Sequence, residues 1–535
     1  MNRINKTRNS DGQISLYAIL LGVLVLGSVL RFLFLESIPA YQVDEGSWNI
    51  AVRDKVLEGD WCYHIRKFCV SPVHSVLFYL WFLLWSPGLY AARILSVIVD
   101  LGSIVLMYVI GSKLFNRRVG LIASFLFAIN SIVILNGRKA MLETDSVFWI
   151  LLALWLFTDR AIWRRILAGV VMALAIGTKL YAFKMLIVFG VYEVMLFWGE
   201  RGWRPFRVLL GRSFLVFLAV TMIGTALIFG AVYYHYPSEF MTERTSYASP
   251  LFLVPNWFGP DSLLFSIKYY VLRDGLTLLL AVLAFVFLVR RWRHETEDTW
   301  RHTSHNAVFL IHWFWIIFLS VALMNYQPPR YYFMVVPAYI LLAALFIDRE
   351  LFPVPYSKSH GKSYHAGVLV LVVLLLVTLV GKVGFYFVKG QRNTSAPEAL
   401  AWVNEHIPRS ASIAADYYMA VSLHHDEIWP LHPQRYYKLS QGTIWMAENY
   451  FVNPFGLPDY YRQPVPGHFK HRSGEFPDYV LMPVNHGGTG GQARFKRFMR
   501  SPKFTENYLV FREFTDPNGF RTMLYVYNSL SESSP

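Results

Sequence analysis

The chain has 535 residues, 55% of them hydrophobic and only 16% charged, with a formal net charge of +15 at pH 7. Such apolarity excludes an ordinary soluble globular protein and indicates a polytopic membrane protein, because several apolar runs reach the roughly 20 residues that cross a bilayer. The surplus of Lys and Arg is then the usual bias of basic residues toward the inner side of a membrane, and nucleic-acid binding is not expected.

The first apolar run covers about residues 15–35, behind Arg3, Lys6 and Arg8. It is long, and no small-residue cleavage site follows it, so it reads as a retained anchor rather than a signal peptide. A loop over 36–89 follows and opens on two adjacent acids, Asp44 and Glu45. Within it, residues 45–57 predict an amphipathic helix with Trp48, Val52 and Val56 on one face. Residues 74–85 (HSVLFYLWFLLW) are apolar but short for a span, and their aromatic residues suit a helix lying in the outer interface.

Further spans are predicted at about 90–112, 119–136, 145–158, 164–178, 182–198, 211–233, 268–289, 306–324, 331–347 and 366–386, giving about eleven in all. With the N-terminus inside, the inner turns carry Lys113, Arg117 and Arg118; Arg160, Arg164 and Arg165; Arg201, Arg204, Arg207 and Arg212; Arg290, Arg291, Arg293 and Arg301; and Arg349, Lys358 and Lys362. Every inner turn is therefore basic, as the charge bias requires, and an odd number of spans puts the C-terminal segment outside. Asp100, in the second span, and Glu193, in the sixth, stand out as acids inside predicted spans.

The expected division is a transmembrane helical domain over 1–388 and a small extracytoplasmic α/β domain over 389–535. In the latter, Tyr479–Met482 reads as a strand. Asn507–Phe511 and Met523–Tyr527 read as a hairpin, turning at Asp516-Pro517-Asn518-Gly519. His486-Gly487-Gly488-Thr489-Gly490-Gly491 lacks the Lys-Ser/Thr of a phosphate-binding loop and reads as a flexible connection. Asn393-Thr394-Ser395 is a glycosylation sequon on the outer side.

The two cysteines, Cys62 and Cys69, both lie in the first outer loop. A disulfide there would pin the loop bearing the acidic pair; two buried thiols are the alternative. With His64 they make a poor zinc site.

The polar residues of the outer side form a constellation. Asp44 can cap the helix that follows it, but one cap does not explain two acids, and a carboxylate at the membrane surface can act as a general base toward an acceptor. The next outer loop, Gly137-Arg138-Lys139-Ala140-Met141-Leu142-Glu143-Thr144-Asp145, crowds acids and bases at a depth where charge points to function. Lys179 follows Gly177-Thr178 at the outer end of the fifth span, and Arg330 precedes Tyr331 and Tyr332 at the outer end of the tenth. Each cation alone reads as an interfacial anchor. Several on one face suit a phosphate or diphosphate.

The order of these features resembles that of the GT-C glycosyltransferases that use polyprenyl-phosphate sugars, in particular the aminoarabinose transferases and protein O-mannosyltransferases of glycosyltransferase family 39 and its kin. The resemblance rests on the anchor helix, Asp44-Glu45, Gly59-Asp60, the turn Lys113-Leu114-Phe115-Asn116-Arg117-Arg118, Arg138-Lys139-Ala140-Met141-Leu142-Glu143, Gly177-Thr178-Lys179, and Pro329-Arg330-Tyr331-Tyr332 ahead of Pro337. It covers about residues 15–350. It implies a mainly α, GT-C type helix bundle in the plasma (inner) membrane and an inverting transfer of a hexosyl or pentosyl group on the extracytoplasmic face. Asp44 matches the catalytic acid, with Glu45 beside it. Arg138, Lys179, Arg330, Tyr331 and Tyr332 match positions near the donor phosphate, and Glu143 and Asp145 support them. Where relatives carry His-Pro-Pro or Lys-Pro-Pro, this chain has Val70-Ser71-Pro72-Val73-His74, so that either the family's phosphate-binding lysine is missing or Arg66 or Lys67 stands in for it. The implied partners are a polyprenyl-phosphate sugar donor, membrane lipid, and a protein, lipid or glycan acceptor. No cofactor is required. A rival oligosaccharyltransferase-like reading would hold Mg²⁺ or Mn²⁺ between Asp44/Glu45 and Glu143/Asp145. A lipid or ion transporter would instead place charges and broken helices near mid-membrane.

Overall fold

The computed structural model describes residues 2–37, 43–59, 65–201, 211–241, 260–292, 298–322, 329–351, 394–416, 422–425, 427–431, 477–484, 502–517 and 521–531, with a few isolated positions. The chain divides into two units. The first comprises Met1–Leu33, Val70–His74 and Ser96–Tyr386; the second comprises Phe34–Cys69, Ser75–Leu95 and Phe387–Pro535.

The first unit is helical because an apolar chain in lipid must satisfy its backbone polar groups internally. Its elements are α1 (Asn2–Phe32), the greater part of α5 (Leu89–Leu114), α6 (Arg117–Ile129), α7 (Ser131–Gly137), α8 (Leu142–Phe157), α9 (Ile162–Thr178), α10 (Met185–Arg201), α11 (Arg212–His235), α12 (Pro260–Trp292), α13 (Asp298–Ala322) and α14 (Val336–Phe346). Among the described residues, five helices are long and apolar enough to cross a membrane, or six if the bent pair α6/α7 counts as one span. This is an integral, multi-pass membrane protein. Predicted spans two to ten each fall on one of these helices or, for 119–136, on the bent pair. Helices α8, α9 and α10 have only 16, 17 and 17 residues, short for a lone span. The eleventh predicted span lies almost wholly outside the described residues.

Three breaks shape this unit. The chain bends by 64° between α6 and α7. Asn130 occupies the bend, and its side-chain oxygen accepts from the amides of Ile132 and Val133, restarting the helix. Within α12, Asp274 leaves helical geometry (φ −143°, ψ 23°). Ahead of α14, Pro329–Val335 form a 3₁₀ turn, and Pro337 follows at the start of the helix, where its missing N–H costs nothing. Aromatic packing fills the interior, as where the Phe157 ring meets Phe189 and Phe217 edge-on, both at 4.7 Å. Buried ions are paired: Arg31 with Asp100 at 2.6 Å and Arg165 with Glu193 at 2.8 Å. Asp100 and Glu193 therefore have structural partners.

The second unit contains α2 (Val43–Glu58), α3 (Ile65–Val70, less its last residue), most of α4 (Pro72–Leu84), the start of α5, and a C-terminal α/β fold. The helices α2 and α4 occupy the segments predicted as outer-loop helices. In the α/β fold, α15 (Ser395–His406) precedes β1 (Ser412–Asp416), β2 (Glu427–Leu431), β3 (Tyr479–Pro483), β4 (Tyr508–Thr515) and β5 (Arg521–Tyr527). The sheet order is β2-β1-β3-β5-β4, with β1 parallel to β2 and β3 and the other pairs antiparallel. Ala396, Ala399, Leu400 and Val403 bury one stripe of α15 against this sheet. The predicted hairpin is β4–β5. Burial pushes the Tyr508 hydroxyl pKa up, and that hydroxyl donates to the Pro477 carbonyl at 2.7 Å. Within the same unit, Arg53 donates to the Leu423 carbonyl at 2.9 Å. Asn393 and the glycine-rich 486–491 stretch lie outside the described residues.

Candidate active site

In the second unit, Asp44 and Glu45 occupy the first turn of α2, where the positive end of the helix favours carboxylates. Glu45 is completely buried, and its two oxygens take Nε and Nη2 of Arg93, each at 2.8 Å. Arg93 Nη1 also donates to the carbonyls of Leu35 and Glu36, at 2.9 and 3.2 Å. This bidentate pair fixes where α2 begins and therefore the backbone position of Asp44. The Asp44 side chain lies outside the described residues, as do the Lys67 side chain and Cys62; Cys69 is buried. Arg93 was not singled out as a site residue in the sequence. Its signal was a charge in the first turns of an apolar span. Replacing Arg93 by Leu strands a buried carboxylate and is expected to cost about 3–5 kcal/mol of stability. A matching drop in the thermal unfolding midpoint, reversed in part by adding Glu45→Gln, checks it.

In the first unit, the C-terminal end of α9, the start of α8 and the turn before α14 bring four predicted residues together. Lys179 adopts extended geometry as the C-cap of α9, and its Nζ lies 2.6 Å from Glu143 Oε1. Arg330 Nε is 3.4 Å from the same oxygen. The Tyr331 ring lies beside both cations, 4.5 Å from Lys179 and 5.7 Å from Arg330. The Tyr181 ring stands 4.8 Å from that of Tyr331. Lys184 also lies beside Tyr181, 5.1 Å from its ring, while donating to the Ser320 carbonyl at 2.9 Å. The side chain of Lys179 is only 7% exposed, whereas that of Arg330 is 26% exposed, so Arg330 is the more accessible cation.

The remaining predicted residues of this unit have other partners. Arg138 is completely buried and donates to the carbonyls of Leu30 and Leu33, at 2.8 and 2.6 Å, satisfying the end of α1. Tyr332 is buried against Tyr270 and Phe318, with ring centres at 6.2 and 5.4 Å. Asp145 pairs with His74 Nδ1 at 2.6 Å, and both side chains are completely buried. Ser71 donates to the Thr178 carbonyl at 2.5 Å, next to Lys179. The segment that departs from the family's Pro-Pro motif is thus tied to α8 and to the end of α9. His74, Tyr181 and Lys184 escaped the sequence reading because each is a single polar residue in an apolar context. Only the long-range contacts reveal their company.

No protein-family model and no curated protein sequence matches the chain. Among solved structures, it is similar to ArnT from Cupriavidus metallidurans bound to undecaprenyl phosphate, at 14% identity and a TM-score of 0.58, covering 96% of this chain and 98% of that one. The apo state of the same ArnT gives 14% identity and a TM-score of 0.55 over 97% and 98% of the two chains. The archaeal oligosaccharyltransferase AglB from Archaeoglobus fulgidus, in complex with an inhibitory peptide and a dolichol-phosphate, gives 12% identity and a TM-score of 0.54 over 98% and 75%. Identities this low speak to architecture, and the architecture agrees with the ordered sequence motifs: the chain has the GT-C fold, shared over nearly its whole length with these two proteins.

Proposed function

We infer that the chain is a membrane glycosyltransferase that takes a sugar from a polyprenyl-phosphate donor on the extracytoplasmic face and inverts its anomeric centre. The observation that carries this reading is the group formed by Lys179, Arg330 and Tyr331 around Glu143, at the ends of three helices in a fold shared with an undecaprenyl-phosphate-bound protein. Two cations beside an aromatic face are suited to a phosphate held at a lipid–water boundary. Asp44 takes the proton of an acceptor hydroxyl or amine, whose oxygen or nitrogen attacks the anomeric carbon. The bond from that carbon to the phosphate oxygen breaks, and polyprenyl phosphate leaves with an added negative charge. Lys179 and Arg330 stabilise that developing charge.

The likeness to AglB favours one further reading, a metal-assisted oligosaccharyltransferase. Three of the four carboxylates suggested for the metal are engaged with cations or a histidine instead. Glu45 is spent on Arg93, Glu143 lies between Lys179 and Arg330, and Asp145 is paired with His74. Membranes containing the protein are expected to transfer radiolabelled sugar from polyprenyl-phosphate donors in the presence of EDTA. Transfer that EDTA abolishes and Mg²⁺ or Mn²⁺ restores would establish the metal-assisted reading instead. Failure with every monophosphate donor would remove the donor assignment.

A further inference from the structure

Asp274 sits at the kink of α12 with its side chain completely buried. Its carboxylate accepts from the Tyr339 hydroxyl of α14 at 2.6 Å, from the Asn130 side-chain amide at 2.5 Å, and from the Thr277 hydroxyl at 2.5 Å. Asn130 is the residue that caps α7 through its side-chain oxygen. The flanking residues repeat the pattern: Ser131 donates to the Arg273 carbonyl at 2.8 Å, and Tyr270, one turn earlier in α12, donates to the Pro329 carbonyl at 3.1 Å.

A carboxylate withdrawn from water is costly to retain, and a Leu at this position would suit a plain span better. The elements joined by this side chain supply a reason for it. Asn130 leads into α7, whose Asn136 carbonyl accepts from the Thr144 hydroxyl, next to Glu143. Tyr339 belongs to α14, and the turn before that helix carries Arg330 and Tyr331. Arg330 therefore arrives on the turn that leads into α14, which Tyr339 ties to Asp274, and Glu143 arrives on α8, which meets the Asn130-capped α7 through Thr144. Helix breaks at Asn130 and Asp274 let the three segments meet.

We propose that Asp274, acting through Asn130 and Tyr339, is a positioning residue that holds Arg330 and Tyr331 in register with Glu143 and Lys179 and so sets the grip on the donor's phosphate. This rests on the reading of that group as the phosphate site. The test is the affinity of the purified full-length chain for undecaprenyl phosphate, measured for wild type, Asp274→Asn, Arg330→Ala and the double variant. Asp274→Asn is expected to weaken binding by about 10-fold alone and by less than about 2-fold when Arg330 is already Ala, because coupled residues lose the same interaction once. A merely structural role lowers affinity by the same factor in both backgrounds, and additive losses overturn the proposal. Should Asp274→Asn fail to fold, Tyr339→Phe removes one of the three donors and keeps the ring; the same non-additivity with Arg330→Ala is expected, and its absence is equally decisive. A wild-type chain that ignores undecaprenyl phosphate removes the functional reading itself, whereas binding with additive losses removes only the positioning role.

Discussion

Asp44→Asn is expected to lower sugar transfer by about 10²–10⁴-fold, the range contributed by a positioned general base, while leaving the fold intact. The substitution keeps the size and hydrogen-bonding reach of the side chain and removes its capacity to take a proton. Asn also serves well near a helix start, so the beginning of α2 is preserved. The anchoring of that helix comes from the neighbouring Glu45 with Arg93, which this variant does not touch. The two acids of the pair therefore separate experimentally. Glu45→Gln should act mainly through stability, lowering the unfolding midpoint, whereas Asp44→Asn should act on turnover at an unchanged midpoint. Measuring both variants by radiolabelled transfer and thermal unfolding checks this assignment, and full transfer by a folded Asp44→Asn protein would sink it. Varying the acceptor would also distinguish the roles: an acceptor that gives up its proton more readily depends less on a base, so the deficit should shrink as acceptor acidity rises.

The bilayer explains why so much of the architecture was legible before any coordinates. Inside lipid, an apolar run has one backbone solution, so α5 and α11 follow their apolar stretches to within a few residues. The β4–β5 hairpin was equally plain, because alternating β-prone residues flank a Pro-Asn-Gly turn. Lys179, Glu143, Arg330 and Tyr331 could be picked out because charge at a helix end in an apolar chain stands out. What did not show was which charges meet. Glu45 and Arg93, His74 and Asp145, and Arg31 and Asp100 are each far apart in sequence and joined only by packing. Arg138 is similar: its motif suggested a position near the phosphate, but that its guanidinium donates to the carbonyls of Leu30 and Leu33 could not be read from the sequence. The bends were not legible: Asn130 and Asp274 lie inside stretches predicted as single spans, and neither break resembles the Pro or Gly signal that marks most kinks.

Lys179→Met is expected to reduce kcat/KM for the lipid donor by about 10²–10³-fold, comparable to removing one preorganised donor from a site of developing negative charge. Two causes compete to explain such a loss. Lys179 is nearly buried and lies 2.6 Å from Glu143, so its removal leaves that carboxylate with Arg330 at 3.4 Å as its nearer remaining cation. Stranding a buried carboxylate destabilises a protein by about 3–5 kcal/mol, and part of the lost transfer would then be lost protein. Combining Lys179→Met with Glu143→Gln separates the two. It removes both charges together and leaves no buried ion without a partner, so the unfolding midpoint should recover. If Lys179 served only to neutralise Glu143, transfer would recover as well. If its ammonium stabilises the departing phosphate, the double variant should be stable and still defective, with Lys179→Arg retaining more activity than either. Stability and transfer therefore diverge in this pair of variants only when the cation acts on the substrate, and recovery of both together would move Lys179 from the site to its scaffold.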